Sequence, residues 1–183
     1  MGTRGAFGFK KNNKLKTIYN NFDSYYTGLG DYYISILKKY DNDYISKIFD
    51  NIVEINEIKL SPEIIFYLSD FNSKIGEELF DLNYIRKQFK DKKNNEDVWS
   101  DLFYGVNNYF EVYFTHKLKY MYTDNYFLKD TMFCEYGYVY NIDDENLEIY
   151  RYGKKAAINI SKDKIDNDFV FKINNDDDYL EIA

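Results

Sequence analysis

The chain has 183 residues with 31 acidic and 24 basic side chains, a formal net charge of −7. That length suits one compact domain with a real core, and the acidic balance weighs against direct binding of nucleic-acid phosphates. A single cysteine, Cys134, excludes an internal disulfide and suits a reducing cytoplasm. No apolar run approaches the roughly 18–20 residues of a membrane span. The start, MGTRGAFGFKK, has no secretory apolar core, and Ala6 stands where a myristoylation signal wants Ser or Thr. The expected location is cytoplasmic. Tyrosine is abundant, at 21 residues beside 15 Phe. Tyrosine favours contact surfaces, but Asn, Lys, Ile and Asp are also frequent, as an AT-rich genome would give.

In chain order, residues 3–10 and 15–21 alternate like paired strands, and Lys11-Asn12-Asn13-Lys14 supplies a turn that tolerates left-handed backbone. Gly5 and Gly8 inside the first strand suggest bulges or a close approach of another backbone. After Gly30 the period becomes helical. Tyr32, Tyr33, Ile36, Leu37 and Tyr40 share one face, and Tyr44, Ile45, Ile48, Phe49, Ile52 and Val53 form a second amphipathic helix. Ser61-Pro62-Glu63 starts a third, which the pattern carries to about Asp70. Residues 75–90 read as a less regular helix and 90–96 as a charged loop. A long helix follows, burying Trp99, Leu102, Phe103, Val106, Phe110 and Tyr113. Late strands flank the turn at Asp143-Asp144-Glu145-Asn146, residues 156–160 and 169–173 add short strands, and 174–183 is an acidic, frayed tail. The expected fold is one α+β domain over 1–183: an antiparallel sheet formed by the N- and C-terminal hairpins, packed on a helical middle segment.

The stretch YNNFDSYYTGLG, residues 19–30, joins hairpin to helix. Asp23 and Ser24 suit an Asx-type turn, with Gly28 and Gly30 at the helix entrance. The same geometry allows an anion site, because a helix start offers free N–H groups and Arg4 could add a fork of donors. The candidate binding residues are therefore Arg4, Asp23, Ser24, Tyr25 and Tyr26, although no phosphate-loop fingerprint is present. Catalytic residues are not assigned. The one histidine, His116, reads as a partly buried structural residue, and neither Cys134 nor any serine carries an activating signature. Without a Cys/His cluster or a complete calcium loop, no metal and no cofactor is expected.

MGTRGAFGF, the YNNFDSYYTGLG turn and the late FCEYGYVYNIDDENLEIYRYG together resemble a family of small uncharacterised proteins of phages and mobile elements. That family shares a Met-Gly-Thr-Arg start, a Tyr-Asn-His-Phe-Asp-Ser-Tyr-Pro-like turn, Gly-Leu-Gly, and a late Tyr-Val hairpin. The match covers the first 30 residues and about 20 late ones. Asn21 replaces the family's turn histidine and Tyr26 its proline, so no chemistry through that histidine carries over. The first hairpin also resembles that of N-terminal-nucleophile hydrolases, but Gly2, followed by Thr3, stands where a nucleophile would be needed. The resemblance implies an accessory protein in a bacterial host's cytoplasm. It would bind a host protein, such as a CRISPR or other defence effector, rather than nucleic acid or membrane. Acidic clusters at Glu77/Glu78, Asp143–Glu145 and Asp176–Asp178 would suit a basic channel on such a target. The alternative is a nucleotide- or anion-binding module, or a hydrolase-like enzyme, using the Arg4–Asp23 turn. Oligomeric state is not set by the sequence.

Overall fold

The computed structural model describes all residues except 1, 57, 59–60, 85–86, 88–94, 104–105, 107–108, 167–171, 174–179 and 182–183. The side chains of 95–98, 157–158, 172–173 and 180–181 also fall outside the description. The chain gathers into two compact units, one of residues 1–50 with 124–183 and one of residues 51–123.

The first unit is built on a five-stranded sheet. Its strands are β1 (Gly5–Lys11), β2 (Lys14–Asn20), β5 (Tyr136–Asn141), β6 (Asn146–Arg151) and β7 (Lys154–Ser161), in the order β2-β1-β5-β6-β7. The first hairpin forms because Asn12 and Asn13 take positive φ, 50° and 61°, as a two-residue turn matched to strand twist requires. The Asp143–Asn146 turn closes β5 on β6, again with positive φ at Glu145. Within each hairpin the pairing is antiparallel, as expected. The seam between the hairpins is not: β1 and β5 run parallel, from Gly5 opposite Tyr136 to Lys10 opposite Asn141. The reason is topological. A long excursion separates the two strands, and parallel pairing needs such a crossover, which a hairpin cannot give.

Gly8 explains itself as a close approach. With φ at +152°, a Cβ there would lie 2.1 Å from the Lys16 carbonyl oxygen of β2.

One sheet face is aromatic. Phe7, Phe9, Tyr138 and Tyr140 are fully buried on it, beside Leu147 and Ile149. Helix α1 (Asp31–Lys39) lays Tyr33 against Phe7 and Phe9, ring centroids 5.5 and 6.1 Å away, and its hydroxyl donates to the Gly8 carbonyl at 2.6 Å. Helix α2 (Asn42–Asn51) docks through its own polar atoms. Tyr140 Oη donates to Asn42 Oδ1 at 3.0 Å, and Lys16 Nζ to the Phe49 carbonyl at 2.7 Å. On the other face Ala6 and Val139 pack with Leu128 and Cys134, which makes β5 buried along its whole length. Burial pushes the Cys134 thiol up to about 12, so it stays protonated and inert.

Among the described residues the second unit holds β3 (Val53–Glu54) paired with β4 (Tyr120–Met121) and the helices α3 (Pro62–Ile75), α4 (Asn95–Phe103) and α5 (Val112–Thr115), and within the expected helix of 75–90 residues 82–84 are helical. Ser61 caps α3, accepting from the Ile64 N–H at 3.4 Å. The helix runs to Ile75, past the expected stop at Asp70, because Gly76 at φ 72° supplies the left-handed cap. Of the expected long helix, α4 and α5 are described, while residues 104–105 and 107–108 between them lie outside the described residues. Its expected buried stripe holds nonetheless, from Trp99 to Tyr113. Residues 95–96, expected in a loop, open α4. Residues 90–94, most of the acidic tail and Asp176–Asp178 lie outside the described residues, as do 169–171; β8 (Lys172–Ile173) and β9 (Leu180–Glu181) pair with each other. No described helix is long and apolar enough to cross a membrane.

Candidate functional site: the loop end of the sheet

Because β1 and β5 are parallel and their hairpin partners run back, four chain segments converge at one sheet end. They are Gly2–Arg4 before β1, 21–25 after β2, 131–135 before β5, and Tyr152-Gly153 between β6 and β7. Contacts tie the segments together. The Arg4 N–H donates to Glu135 Oε1 at 3.1 Å, the Arg4 guanidinium lies 4.5 Å from the Phe133 ring centroid, and the Ser24 N–H donates to Thr3 Oγ1 at 2.9 Å. The Tyr152 N–H reaches the Glu135 carbonyl at 3.4 Å. Asp130 Oδ1 accepts from the Met132 and Phe133 N–H groups, both at 2.8 Å, and so fixes the turn that presents them.

These segments expose apolar side chains. Phe22 is 59% exposed, Tyr25 38%, Met132 73%, Phe133 41% and Tyr152 47%. Two guanidiniums sit among the rings, Arg4 on Phe133 and Arg151 over Tyr136 at 3.9 Å, with Tyr152 at 5.4 Å and Tyr26 at 5.9 Å. Exposed aromatic side chains with half-buried arginines at one sheet end have the composition of a protein contact surface.

The five residues singled out from the sequence share this end but divide by role. Tyr25 and Asp23 face solvent, and Arg4 is half-buried. Ser24 is wholly buried: Asn20 Nδ2 donates to its hydroxyl at 2.8 Å, and Tyr138 Oη donates to its carbonyl at 3.0 Å. Tyr26 is buried too, edge-on to Tyr136 and Tyr138. Ser24 and Tyr26 therefore hold the turn while Tyr25 is presented.

The turn organises itself around backbone donors. Residues 26–30 make one π-helical turn that feeds straight into α1. The Gly28 and Gly30 N–H groups donate to the Tyr25 carbonyl, Leu29 N–H to the Asp23 carbonyl at 2.8 Å, and Asp31 N–H back into the turn. An anion entering here would compete with those bonds. Gly28 is required by the same closure, since a Cβ would lie 2.2 Å from the Asp23 carbonyl oxygen. Gly28→Ala is expected to cost about 1–3 kcal/mol by overpacking, read as a lower urea midpoint with an unchanged slope.

The other dense polar cluster lies on the sheet face opposite α1. Glu148 Oε1 takes Lys155 Nζ at 2.9 Å, Lys10 Nζ at 3.4 Å and Asn141 Nδ2 at 3.0 Å, while Oε2 takes Tyr150 Oη at 2.8 Å. Burial alone would raise this carboxyl, but the donors from Lys155, Tyr150 and Asn141 and the charge of Lys10 override it and hold it at about 2. Its hydrogen-bonding capacity is spent on neighbours, as in a structural clasp.

His116, expected to be partly buried, is exposed, with its Nδ1 2.8 Å from Thr115 Oγ1 and its ring edge-on to Phe71. Among the described residues no group of three or more Asp, Glu, His or Cys is placed to hold a metal ion. Sequence reasoning missed Phe133, Glu135, Arg151 and Tyr152. The signal for Arg151 was its register opposite Tyr136, legible only after the hairpin is aligned. No protein-family model, curated protein or solved structure matches the chain.

Proposed function

We propose that the protein acts by binding another protein through the loop end of its sheet. The observation that carries this reading is that Phe22, Tyr25, Met132, Phe133 and Tyr152 are all exposed on the segments that meet at this sheet end, with Arg4 over Phe133 and Arg151 beside Tyr152. Single exposed apolar residues are ordinary, but several on converging segments mark an interaction site. The resemblance of the first 30 residues and of the late hairpin to small phage and mobile-element proteins supplies the kind of partner: a host protein, and within that class a defence effector such as a CRISPR nuclease complex, which the protein inhibits in the bacterial cytoplasm. The exposed acids Asp143–Glu145, at the opposite end of the sheet, and Glu77/Glu78 favour fast association with a basic target.

The test is phage challenge of hosts carrying defined defence systems, with and without the protein. Infection should be restored in at least one system. A triple variant, Tyr25→Ala, Met132→Ala and Tyr152→Asn, should lose that effect. Asparagine is chosen because Tyr152 has φ at +46°. Hot-spot aromatics cost about 2 kcal/mol or more of binding when truncated, whereas exposed positions change stability by about 0.5 kcal/mol each. Unchanged melting with retained activity would move the contact elsewhere.

A further inference from the structure

Arg4 is fixed by its backbone, and its guanidinium donors are left over. The Arg4 N–H donates to Glu135 Oε1 at 3.1 Å, and the Arg4 carbonyl accepts from the Glu135 and Tyr136 N–H groups at 3.0 and 3.3 Å. Among the described residues the guanidinium makes no hydrogen bond and no ion pair. Its contact is the Phe133 ring, whose centroid lies 4.5 Å away.

The acids on the same segments are turned to backbone groups. Glu135 Oε1 faces the Arg4 N–H, and Asp130 Oδ1 takes the Met132 and Phe133 N–H groups. The Asp130 bonds set the turn that puts the Phe133 ring against the guanidinium. A ring in that place restricts the arginine's rotamers, so less freedom is lost when the planar fork takes a carboxylate. The N–H groups of the 26–30 turn are bonded within the turn, which leaves Arg4 as the donor for an acid there.

Charge and surroundings say what that acid belongs to. Residues 2–4, 21–25, 129–135 and 151–154 carry Arg4, Lys129, Arg151 and Lys154 against Asp23, Asp130 and Glu135, four cations to three acids in a chain of −7. An acid that the rest of the surface repels is admitted here. Met132 and Phe133 are exposed on the turn beside Arg4, and exposed Tyr25 adjoins Ser24, whose N–H reaches Thr3 Oγ1. Apolar neighbours exclude water, and a charge-assisted fork in such a setting is stronger than one at a wet surface.

We propose that the loop end receives an aspartate or glutamate side chain of the partner protein, set among apolar residues. The Arg4 guanidinium is its donor, and Phe133 positions that guanidinium. The proposal rests on the loop-end reading and adds the chemistry of the partner to it.

The experiment titrates the isotope-labelled full chain with the peptide acetyl-Gly-Ser-Leu-Trp-Glu-Leu-Ser-Gly-amide and follows the Arg4 Nε–H resonance. One control has glutamine for the glutamate; the other is that glutamine peptide with a free C-terminal carboxylate. The glutamate peptide should shift the Arg4 resonance and bind at least about tenfold more tightly than either control. Arg4→Gln should bring the glutamate and glutamine peptides to equal affinity with melting unchanged, because the backbone bonds remain. Arg4→Lys should keep the preference only in part, since an ammonium lacks the fork. Phe133→Leu should weaken the glutamate peptide more than the glutamine one. Equal binding of either control, or no shift at Arg4, overturns the proposal. So does a concentration-dependent dimer in sedimentation that Arg4→Gln abolishes, for then the acid belongs to a second copy. In phage challenge Arg4→Gln should lose the protein's effect. If it keeps the effect while the Tyr25→Ala, Met132→Ala, Tyr152→Asn variant loses it, the loop-end surface stands and the carboxylate falls; if both keep it, both fall.

Discussion

Replacing Trp99 by alanine is expected to lower the free energy of unfolding by about 3–5 kcal/mol. The indole is fully buried, edge-on to Phe103, and its N–H donates to the Ile58 carbonyl at 2.7 Å. Truncation removes the largest buried side chain and opens a cavity, and it strips a carbonyl of its donor, itself worth about 1–3 kcal/mol when left unsatisfied. Trp99→Phe separates the two effects, since it keeps a ring but loses the donor. Trp99 is the only tryptophan, so unfolding must be followed by circular dichroism rather than fluorescence. Amide exchange should show residues 51–123 losing protection first, because Trp99 belongs to that compact unit. A loss below about 1 kcal/mol would contradict the packing described.

Acid should loosen the first unit through Glu148. In the unfolded chain this carboxyl titrates near its ordinary 4.5, and in the folded chain it is held at about 2. Between those values the unfolded state binds more protons, so stability is fully present above about pH 4.5 and is lost as pH falls toward 2. A shift of this size corresponds to about 3 kcal/mol. Glu148→Gln should abolish that part of the pH dependence. It should also destabilise by about 3 kcal/mol at pH 7, because Lys10 and Lys155 then share a site without a counter-charge. Urea unfolding at pH 7, 5 and 3 measures both effects. A variant whose stability falls with acid as steeply as the parent's would show that other carboxylates carry it.

Local chemistry was the legible part of the fold. Asn12-Asn13 fixes one hairpin, Asp143–Asn146 the other, and Ser61-Pro62 a helix start, each through backbone preferences confined to a few residues. The parallel seam between Gly5–Lys10 and Tyr136–Asn141 was not legible, because alternation gives a strand's faces but not its neighbour's direction. The candidate site failed and succeeded on the same grounds. Tyr25 could be found because its turn is local in sequence. Phe133, Arg151 and Tyr152 join it only through long-range pairing, and Ser24 and Tyr26 are drawn inside by Tyr138 and Tyr136, more than a hundred residues away.

The most direct test of the binding account is a paired capture from the natural host. The tagged protein and its Tyr25→Ala, Met132→Ala, Tyr152→Asn variant are expressed at equal levels, crosslinked and purified side by side. The account predicts one host protein enriched with the parent and lost with the variant, with crosslinks at residues 22–25, 131–135 or 152–153. A partner held equally by both, with crosslinks elsewhere, would contradict it.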